Sequence, residues 1–279
     1  MKIASVNNLP QFVGRSTFID DVSYRKALQL GLKKKFDLDC KIEALNSVAT
    51  PRELNGFIKN LKPFQYVVGD DFRANFHLHT KASDGSLTPK EFLSKCVGWA
   101  NRMFRLGKSK DGLPPFMCAI TDHDRVKSVQ EVVALISQEP ERYKNFKFVT
   151  GCEFMFTGYE GDAYPAFEAV GLGFNPFAEE LEPLMKGFGS DNKVEDIKKV
   201  LDAGGVLSYA HPLVNPDKLT EHFFSFLVAN GVNGVEGNYQ YNHWDKEYVN
   251  AGKPIVEKLA KKFNMFLTGG TDSHRKTIF

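Results

Sequence analysis

Five short motifs combine histidine with acidic residues, and each follows an apolar run that predicts a strand. In chain order they read HLHT with the SDG that follows it, TDHD, GCE, AHP and TDSH. They hold five of the seven histidines of the chain. Any one of these histidines alone could be a core or loop residue, but scattered surface histidines do not follow strand-like runs so regularly. The pattern therefore predicts that the motifs meet at one metal-binding centre.

The first motif places two imidazole rings on one side of a strand. His77 and His79 are two residues apart, so both rings point the same way along an extended chain while Leu78 points the other way. One cation can then receive both rings. Asp84 follows in a Ser-Asp-Gly turn, from which a carboxylate can reach the same cation.

The TDHD and TDSH motifs each place carboxylates beside an imidazole. Asp122, His123 and Asp124 follow one apolar run, and Asp272 and His274 follow another. This mixture suits Mn²⁺, Fe²⁺ or Zn²⁺ better than Ca²⁺ or a structural cysteine-type zinc site. The aspartates have a second interpretation as helix N-caps, and those beside His123 could orient its ring instead of binding a cation.

A single glutamate stands among these histidines. Glu153 ends the run 146–151, and each oxygen of its carboxylate can bind one cation. Glu153 is therefore the candidate to bridge two metal ions.

The ordered set of motifs resembles the PHP (polymerase and histidinol phosphatase) family of metal-dependent phosphoesterases. The resemblance runs from about residue 73 to residue 274 and depends on the order of the motifs more than on any one of them. It implies a distorted seven-stranded (β/α) barrel that holds two or three divalent cations at the C-terminal ends of its strands. The expected ions are Mn²⁺, Zn²⁺ or Fe²⁺, with Mg²⁺ as a further possibility.

The resemblance also implies three ligand sets. Carried over by position, they are His77, His79, Glu153 and Asp272 for one cation, Glu153 and His211 for a second, and Asp84, His123 and His274 for a third.

One position departs from the family pattern. Many members place a histidine shortly after the bridging glutamate, and Glu168 stands at that position here. A ligand oxygen there would make the second site harder and more typical of Mn²⁺ or Mg²⁺. The alternative is an exposed acid and a second site that lacks a ligand. We expect ligation, because an unpaired carboxylate pointing into a barrel mouth would be costly.

The coarse pattern of elements agrees with an α/β barrel. Seven apolar runs predict strands, at 73–78, 116–120, 146–150, 167–172, 206–210, 234–236 and 265–268. Helix patterns lie between most of them, at 88–104, 126–138, 194–203, 217–230 and 254–263. Alternation of strands and helices predicts a parallel sheet with its chemistry at the strand C-termini.

Residues 1–70 lie outside the resemblance and predict a mainly helical extension to a barrel domain over 71–279. Its helices are predicted at 22–35 and 51–60. The lysines at 33–35 are explained by a helix C-terminus more readily than by a nucleic-acid patch. The sequence continues for five residues after His274, where a closing helix is expected, so we expect helix 22–35 to pack in that position.

Composition sets wide bounds on location and partners. A net charge of +2 is too small to imply a polyanion partner, so no stable nucleic-acid complex is predicted. The N-terminal sequence shows no signal peptide, and no apolar stretch is long enough to span a bilayer, which predicts a cytoplasmic protein with no membrane partner. The four cysteines show no CxxC spacing and are expected to be reduced core thiols. The oligomeric state stays open.

These expectations combine into a hypothesis about activity. The chain would hydrolyse a phosphate ester with a metal-activated water, and its substrate would be a nucleotide, a short oligonucleotide or a small phosphorylated metabolite. Proton transfer falls to Asp272 or His211 on one side and to His274 or His123 on the other. Substrate contacts are predicted for Arg125, Arg275 and Tyr239. The alternatives are a solvated loop position for either arginine and packing at the barrel rim for the tyrosine.

Two alternatives stay open at this point. One is an amidohydrolase-like enzyme that attacks a C–N or C–O bond with the same metal chemistry. The other is a non-catalytic scaffold in which the metal serves only stability.

Overall fold

A computed structural model describes residues 20–66, 72–108, 112–157, 166–187, 192–241 and 244–279. The helices of these residues are α1 (Asp21–Phe36), α2 (Pro51–Asn60), α3 (Pro89–Arg105), α4 (Lys127–Gln138), α5 (Pro140–Tyr143), α6 (Ile197–Asp202), α7 (Glu221–Ala229) and α8 (Lys246–Lys262). The strands are β1 (Ala74–Asn75), β2 (Met117–Ala119), β3 (Lys147–Val149), β4 (Gly151–Thr157), β5 (Ala166–Leu172), β6 (Asn192–Lys193), β7 (Val206–Tyr209), β8 (Gly234–Val235) and β9 (Phe266–Leu267).

Local sequence explains where the helices begin. Thr50 and Thr88 each form a capping box with the glutamate three residues later, and a proline follows each threonine at the first helical position. Pro254 does not open α8 as the sequence predicted. The helix begins eight residues earlier, where Asp245 accepts a hydrogen bond from the backbone N–H of Tyr248, and the exposed proline lies inside it.

The strands form two sheets with mostly parallel pairing. β1, β2 and β3 pair in that order, and the second sheet has the order β6-β4-β5-β7-β8-β9. β5 runs antiparallel to both β4 and β7, against the expectation of a wholly parallel sheet. Only eight residues, 158–165, separate β4 from β5, and a parallel crossover needs a dozen or more.

Individual backbone hydrogen bonds join the two sheets. The Phe76 N–H donates to the Gly269 carbonyl at 3.0 Å, and the Glu153 N–H donates to the Thr121 carbonyl at 3.3 Å. The described residues therefore form a mixed α/β fold in which the segment after β1 lies beside the segment after β9. A closed seven-stranded barrel stays a prediction.

Helix α2 packs against buried side chains on and beside the strands. Leu54 and Phe57 share one buried cluster with Phe76 and Ala119 beside the parallel strands and Leu172 on β5. The N-terminal segment thus contributes to the same hydrophobic core as the strands that carry the histidine motifs.

Helix α1 lies elsewhere than expected. Leu28 and Leu32 pack in one cluster with Val132 of α4, and the Tyr24 hydroxyl donates to the carbonyl of Phe174, just after β5. Its helical contacts among the described residues are therefore with α4 and not with the last strand. The position beside the last strand is taken by α2 and the segment after it, because α2 contacts β9 and the Tyr66 hydroxyl donates to the Leu267 carbonyl.

None of the helices in the described ranges is both long and apolar enough to cross a membrane. The division at residue 70 stays a prediction.

Candidate metal centre

The HLH motif is held against the TDSH motif. The Asp272 N–H donates to the His77 carbonyl at 2.9 Å, and the His79 N–H donates to the Ser273 carbonyl at 3.1 Å. Gly270 makes this approach possible, because a Cβ there would lie 2.2 Å from the Cβ of His77. Two motifs that are almost 200 residues apart in sequence therefore face each other.

Four ligand atoms converge at this contact and have no hydrogen-bond partner among the residues that the structure describes. These four buried atoms are His77 Nε2, His79 Nε2, Glu153 Oε2 and Asp272 Oδ1. The two imidazole nitrogens lie 3.0 and 3.2 Å from Glu153 Oε2, and 3.4 and 3.0 Å from Asp272 Oδ1. We call these four residues the inner set.

These spacings fit a small cation. Bonds of about 2.0–2.1 Å to a tetrahedral ion place neighbouring ligand atoms about 3.3–3.4 Å apart. Unpartnered buried polar atoms are otherwise costly, and a cation at their centre would satisfy all four. The inner set therefore fits a divalent metal by both geometry and donor chemistry.

Electrostatics within the inner set point the same way. Burial would lower the pKa of His77, but the carboxylates of Glu153, Glu236 and Asp272 outweigh it and raise that pKa well above its usual value. Burial likewise opposes the shift of His79, yet Asp272 and Glu153 raise its pKa to about 9. Burial would raise the pKa of Glu153 and Asp272, and the histidines lower both. The carboxylates that favour protonated histidines here would also favour a divalent cation at the same position.

A second group of candidate ligands also includes Glu153 of the inner set. His211 Nε2 lies 3.0 Å from Glu153 Oε1 and 3.3 Å from Glu168 Oε2. His123, Glu153 and Glu168 also bring ligand atoms within 4.8 Å of one another. We call Glu153, His211 and Glu168 the shared set. Glu168 therefore points into the centre, and burial together with the charge of Glu153 raises the pKa of its carboxyl.

A third group lies nearer the surface. His274 Nε2 is 3.1 Å from Asp84 Oδ2, and His123 Nε2 is 3.8 Å from the same oxygen. The ring of His79 lies between them, with centroids 4.2 Å from His274 and 4.5 Å from His123. We call Asp84, His123 and His274 the outer set. All nine predicted ligands thus meet in one place.

Asp122 and Asp124 have structural partners in place of a cation. Asp122 accepts hydrogen bonds from the Thr80 N–H at 2.6 Å and from the hydroxyls of Thr80, Ser83 and Ser128. Asp124 accepts from the side-chain amide of Asn192 at 2.8 Å. Of the two interpretations of these aspartates, support of the loops around His123 is the one that the contacts favour.

Sequence reasoning missed Glu236. Its buried carboxylate lies 3.0 Å from His77 Nδ1 and accepts the backbone N–H of His211 at 2.9 Å. By accepting the Nδ1 proton it leaves the Nε2 lone pair of His77 for a cation. The sequence places this residue at the end of the sixth strand-like run, at the same relative position as the other motifs, and that location was the available signal.

Backbone strain marks the same motifs. Asp124, His211 and Asp272 have φ values of 45°, 27° and 48°, which side chains rarely adopt. Strained backbone of this kind persists where surrounding structure holds it, and it occurs often at functional sites.

The three predicted substrate contacts separate into two places. Tyr239 donates its hydroxyl proton to Asp272 Oδ2 at 2.9 Å, and Tyr239 and Arg275 line a cavity of about 360 Å³ beside Asp272. Arg125 lines a different cavity of about 560 Å³ that holds none of the candidate ligands. Its role in substrate binding stays a prediction. His243, in the same aromatic segment as Tyr239, lies outside the described residues.

Cys152, beside Glu153, is buried. Its thiol donates to the Asp122 carbonyl at 3.3 Å, and burial raises its pKa well above the usual value. Both features agree with packing and not with nucleophilic chemistry.

Comparison with known proteins adds little to this geometry. No protein-family model matches the chain, and no curated protein matches it. One solved structure that it resembles is described as an amidohydrolase from Chromobacterium violaceum with bound sulfate and no metal. The identity is 17%, the TM-score is 0.47, and the match covers 73% of this chain and 88% of that one. A similarity this small does not establish a shared fold, so the assignment below depends on the site.

Proposed function

We propose that this chain is a metal-dependent hydrolase of the PHP type, with a distorted barrel, and that its substrates are phosphate esters. The observation that carries the proposal is the convergence of four buried, unpartnered ligand atoms in the inner set. The shared and outer sets adjoin it, which supports two or three divalent cations.

When bound, divalent cations held by these residues would supply charge for binding phosphate oxygens and for lowering the pKa of water. The protein's own part is to hold the ligands still. Glu153 directs one oxygen toward the inner set and the other toward His211. Tyr239 fixes the second oxygen of Asp272, so that Oδ1 faces the two histidines.

Glu168 is available to exchange a proton only where it does not bind a cation. Burial and the neighbouring Glu153 raise the pKa of its carboxyl, which favours the protonated form. Asp272 is less suited, because the nearby histidines lower its pKa. His274 lies at the mouth with its side chain 37% exposed, where it can meet a leaving oxygen.

The preference for phosphate rests on the wall of the adjoining cavity. Arg275 follows His274 directly and lines this cavity together with Asp272. A guanidinium in this wall matches the paired oxygens of a phosphate group.

A second candidate is hydrolysis of a C–N bond. The inner set is complete by itself, and one or two cations with an activated water also serve that reaction. Choosing between the two needs a substrate panel and not further geometry.

The test uses protein stripped with a chelator and reloaded with Mn²⁺, Zn²⁺ or Mg²⁺. Hydrolysis of an aryl phosphomonoester, an aryl phosphodiester and an N-acyl amino acid is measured for the wild type and for Asp272→Asn. We expect ester hydrolysis that needs metal and disappears in the variant. Hydrolysis of the N-acyl amino acid alone would contradict the phosphate-ester proposal and support hydrolysis of a C–N bond. Metal binding that raises thermal stability without any turnover would support the non-catalytic scaffold instead of a hydrolase.

A further inference from the structure

The cavity beside Asp272 has walls that the hydrolytic centre does not explain. It encloses about 360 Å³ and shares only Asp272 and His274 with the candidate ligands. The remaining walls come mainly from the segment after β8 and the segment after β9. A volume of this size is within the range of small-molecule sites, which begin at about 300 Å³.

One wall is a series of aromatic rings held in place. The Tyr239 and Tyr241 rings lie 4.4 Å apart, and Trp244 lies 6.0 Å from Tyr241. Each tyrosine hydroxyl is engaged, Tyr239 with Asp272 and Tyr241 with the backbone N–H of Leu213. Trp244 stays 41% exposed. These rings are therefore preorganised: the indole also stacks on the Tyr248 ring at 5.7 Å, and its exposed part is available to a ligand.

A polar group lies in the same wall. The Gln240 backbone is fixed by donation of its N–H to the Gly270 carbonyl at 2.9 Å. Its buried side-chain oxygen has no hydrogen-bond partner among the described residues. When this side chain turns toward the cavity, a ligand that brings an N–H donor would satisfy the oxygen, and a simple hydrocarbon ring would not.

We infer that this cavity is a subsite for a nucleobase, so that the natural substrates of the centre are nucleotides or nucleotide derivatives. The inference rests on the proposed function for the position of the scissile ester. The flat base stacks on Trp244, its N–H groups meet Gln240, and Arg275 lies on the phosphate side. A sugar phosphate without a base would leave the aromatic wall unused.

The experiment measures binding of adenosine, uridine and ribose to the metal-loaded protein by ligand-observed NMR titration. None of these probes carries an ester, so binding is read separately from hydrolysis. The variants are Trp244→Ala, Trp244→Phe and the control Phe104→Ala, which removes an exposed ring from α3, away from the cavity. Melting temperatures verify that each variant folds.

We expect both nucleosides to bind and ribose not to bind. Trp244→Ala should weaken nucleoside binding about tenfold, Trp244→Phe should retain most of it, and Phe104→Ala should stay within about twofold of the wild type. Failure of both nucleosides to bind, or equal affinity in Trp244→Ala and the wild type, would overturn the subsite. Ester hydrolysis without nucleoside binding refutes the subsite alone, whereas nucleoside binding without any hydrolysis upholds the subsite and refutes the proposed function.

Discussion

The inner and outer sets use the same residue types but differ in how they are supported. In the inner set, the His77, His79 and Glu153 side chains are at most 1% exposed, and backbone hydrogen bonds fix the segments that carry them. In the outer set, Asp84 is 40% exposed and follows a turn. Burial strengthens electrostatic interactions and removes competing water. From this difference in burial we expect the inner set to bind a cation more tightly than the outer set.

The largest effect should come from Glu153, which serves both the inner and the shared sets. Glu153→Gln keeps the shape of the side chain but removes a charge that faces two cation positions. Loss of several kcal/mol of electrostatic stabilisation corresponds to at least about a thousandfold loss of kcat. Steady-state kinetics and metal analysis measure it. Glu221→Gln on α7 is the matched control and should retain full activity, and full activity in both variants would remove Glu153 from the mechanism.

The comparison between the sets is tested by two conservative variants. Asp272→Asn should lose metal and turnover together, because its Oδ1 faces two buried histidines. Asp84→Asn should retain the inner cation and lose only part of the activity. Metal titration at fixed pH measures both. Equal weakening of the tightest cation in the two variants would contradict the ranking.

Loss of the hydrogen bonds that Glu236 makes to His77 and to the His211 backbone should have a smaller effect than loss of a ligand. Glu236→Gln weakens the acceptor for His77 Nδ1 and the anchor for the His211 backbone. Substitution of such an outer carboxylate is expected to lower metal affinity about 10–100-fold. Metal competition with a chromogenic chelator measures the affinity. Glu257→Gln on the exposed face of α8 serves as the control, and an unchanged affinity in Glu236→Gln would reduce Glu236 to a packing residue.

The smallest predicted effect is the pH dependence of the stabilisation that metal gives to the metal-free protein. The folded-state pKa of His79 is about 9, above its ordinary value of 6.5, so its contribution to stability is complete below pH 6.5 and is lost as the pH rises toward 9. A cation competes with fewer protons at higher pH. The rise in melting temperature on adding metal should therefore be larger at pH 8.5 than at pH 6. A smaller rise at pH 8.5 would contradict the coupling between these protons and the metal.

The sequence predicted the candidate ligands better than the sheet. All nine candidate ligands meet, because most of them lie at or just after the end of a strand-like run and the alternation within HLH survives even though β1 itself is only two residues long. Glu168 reaches the centre from an antiparallel strand, which the strand-helix pattern did not predict. Local patterns determine which side a residue faces, but the direction of a strand depends on the length of the connection before it.

Other features required tertiary information. The position of α1 depends on its packing against α4, a long-range contact that the pattern of its own residues does not reveal. No histidine lies next to Glu236 in the sequence, so only its contact with His77 in the folded chain identifies it. Arg125 follows a ligand motif in the sequence, yet it lines a separate cavity. Adjacency along the chain does not determine on which side of a loop a long side chain lies.

The most direct test of the central claim counts cations. Chelator-stripped wild type is dialysed against Mn²⁺ or Zn²⁺, and bound metal per chain is measured by inductively coupled plasma mass spectrometry. His77→Ala with His79→Ala is compared with His222→Ala, which removes a histidine outside the motifs. We predict two or three cations in the wild type and in His222→Ala, and loss of the tightest one in the double variant. Less than one bound cation in the wild type, or no loss in the double variant, would contradict the metal centre.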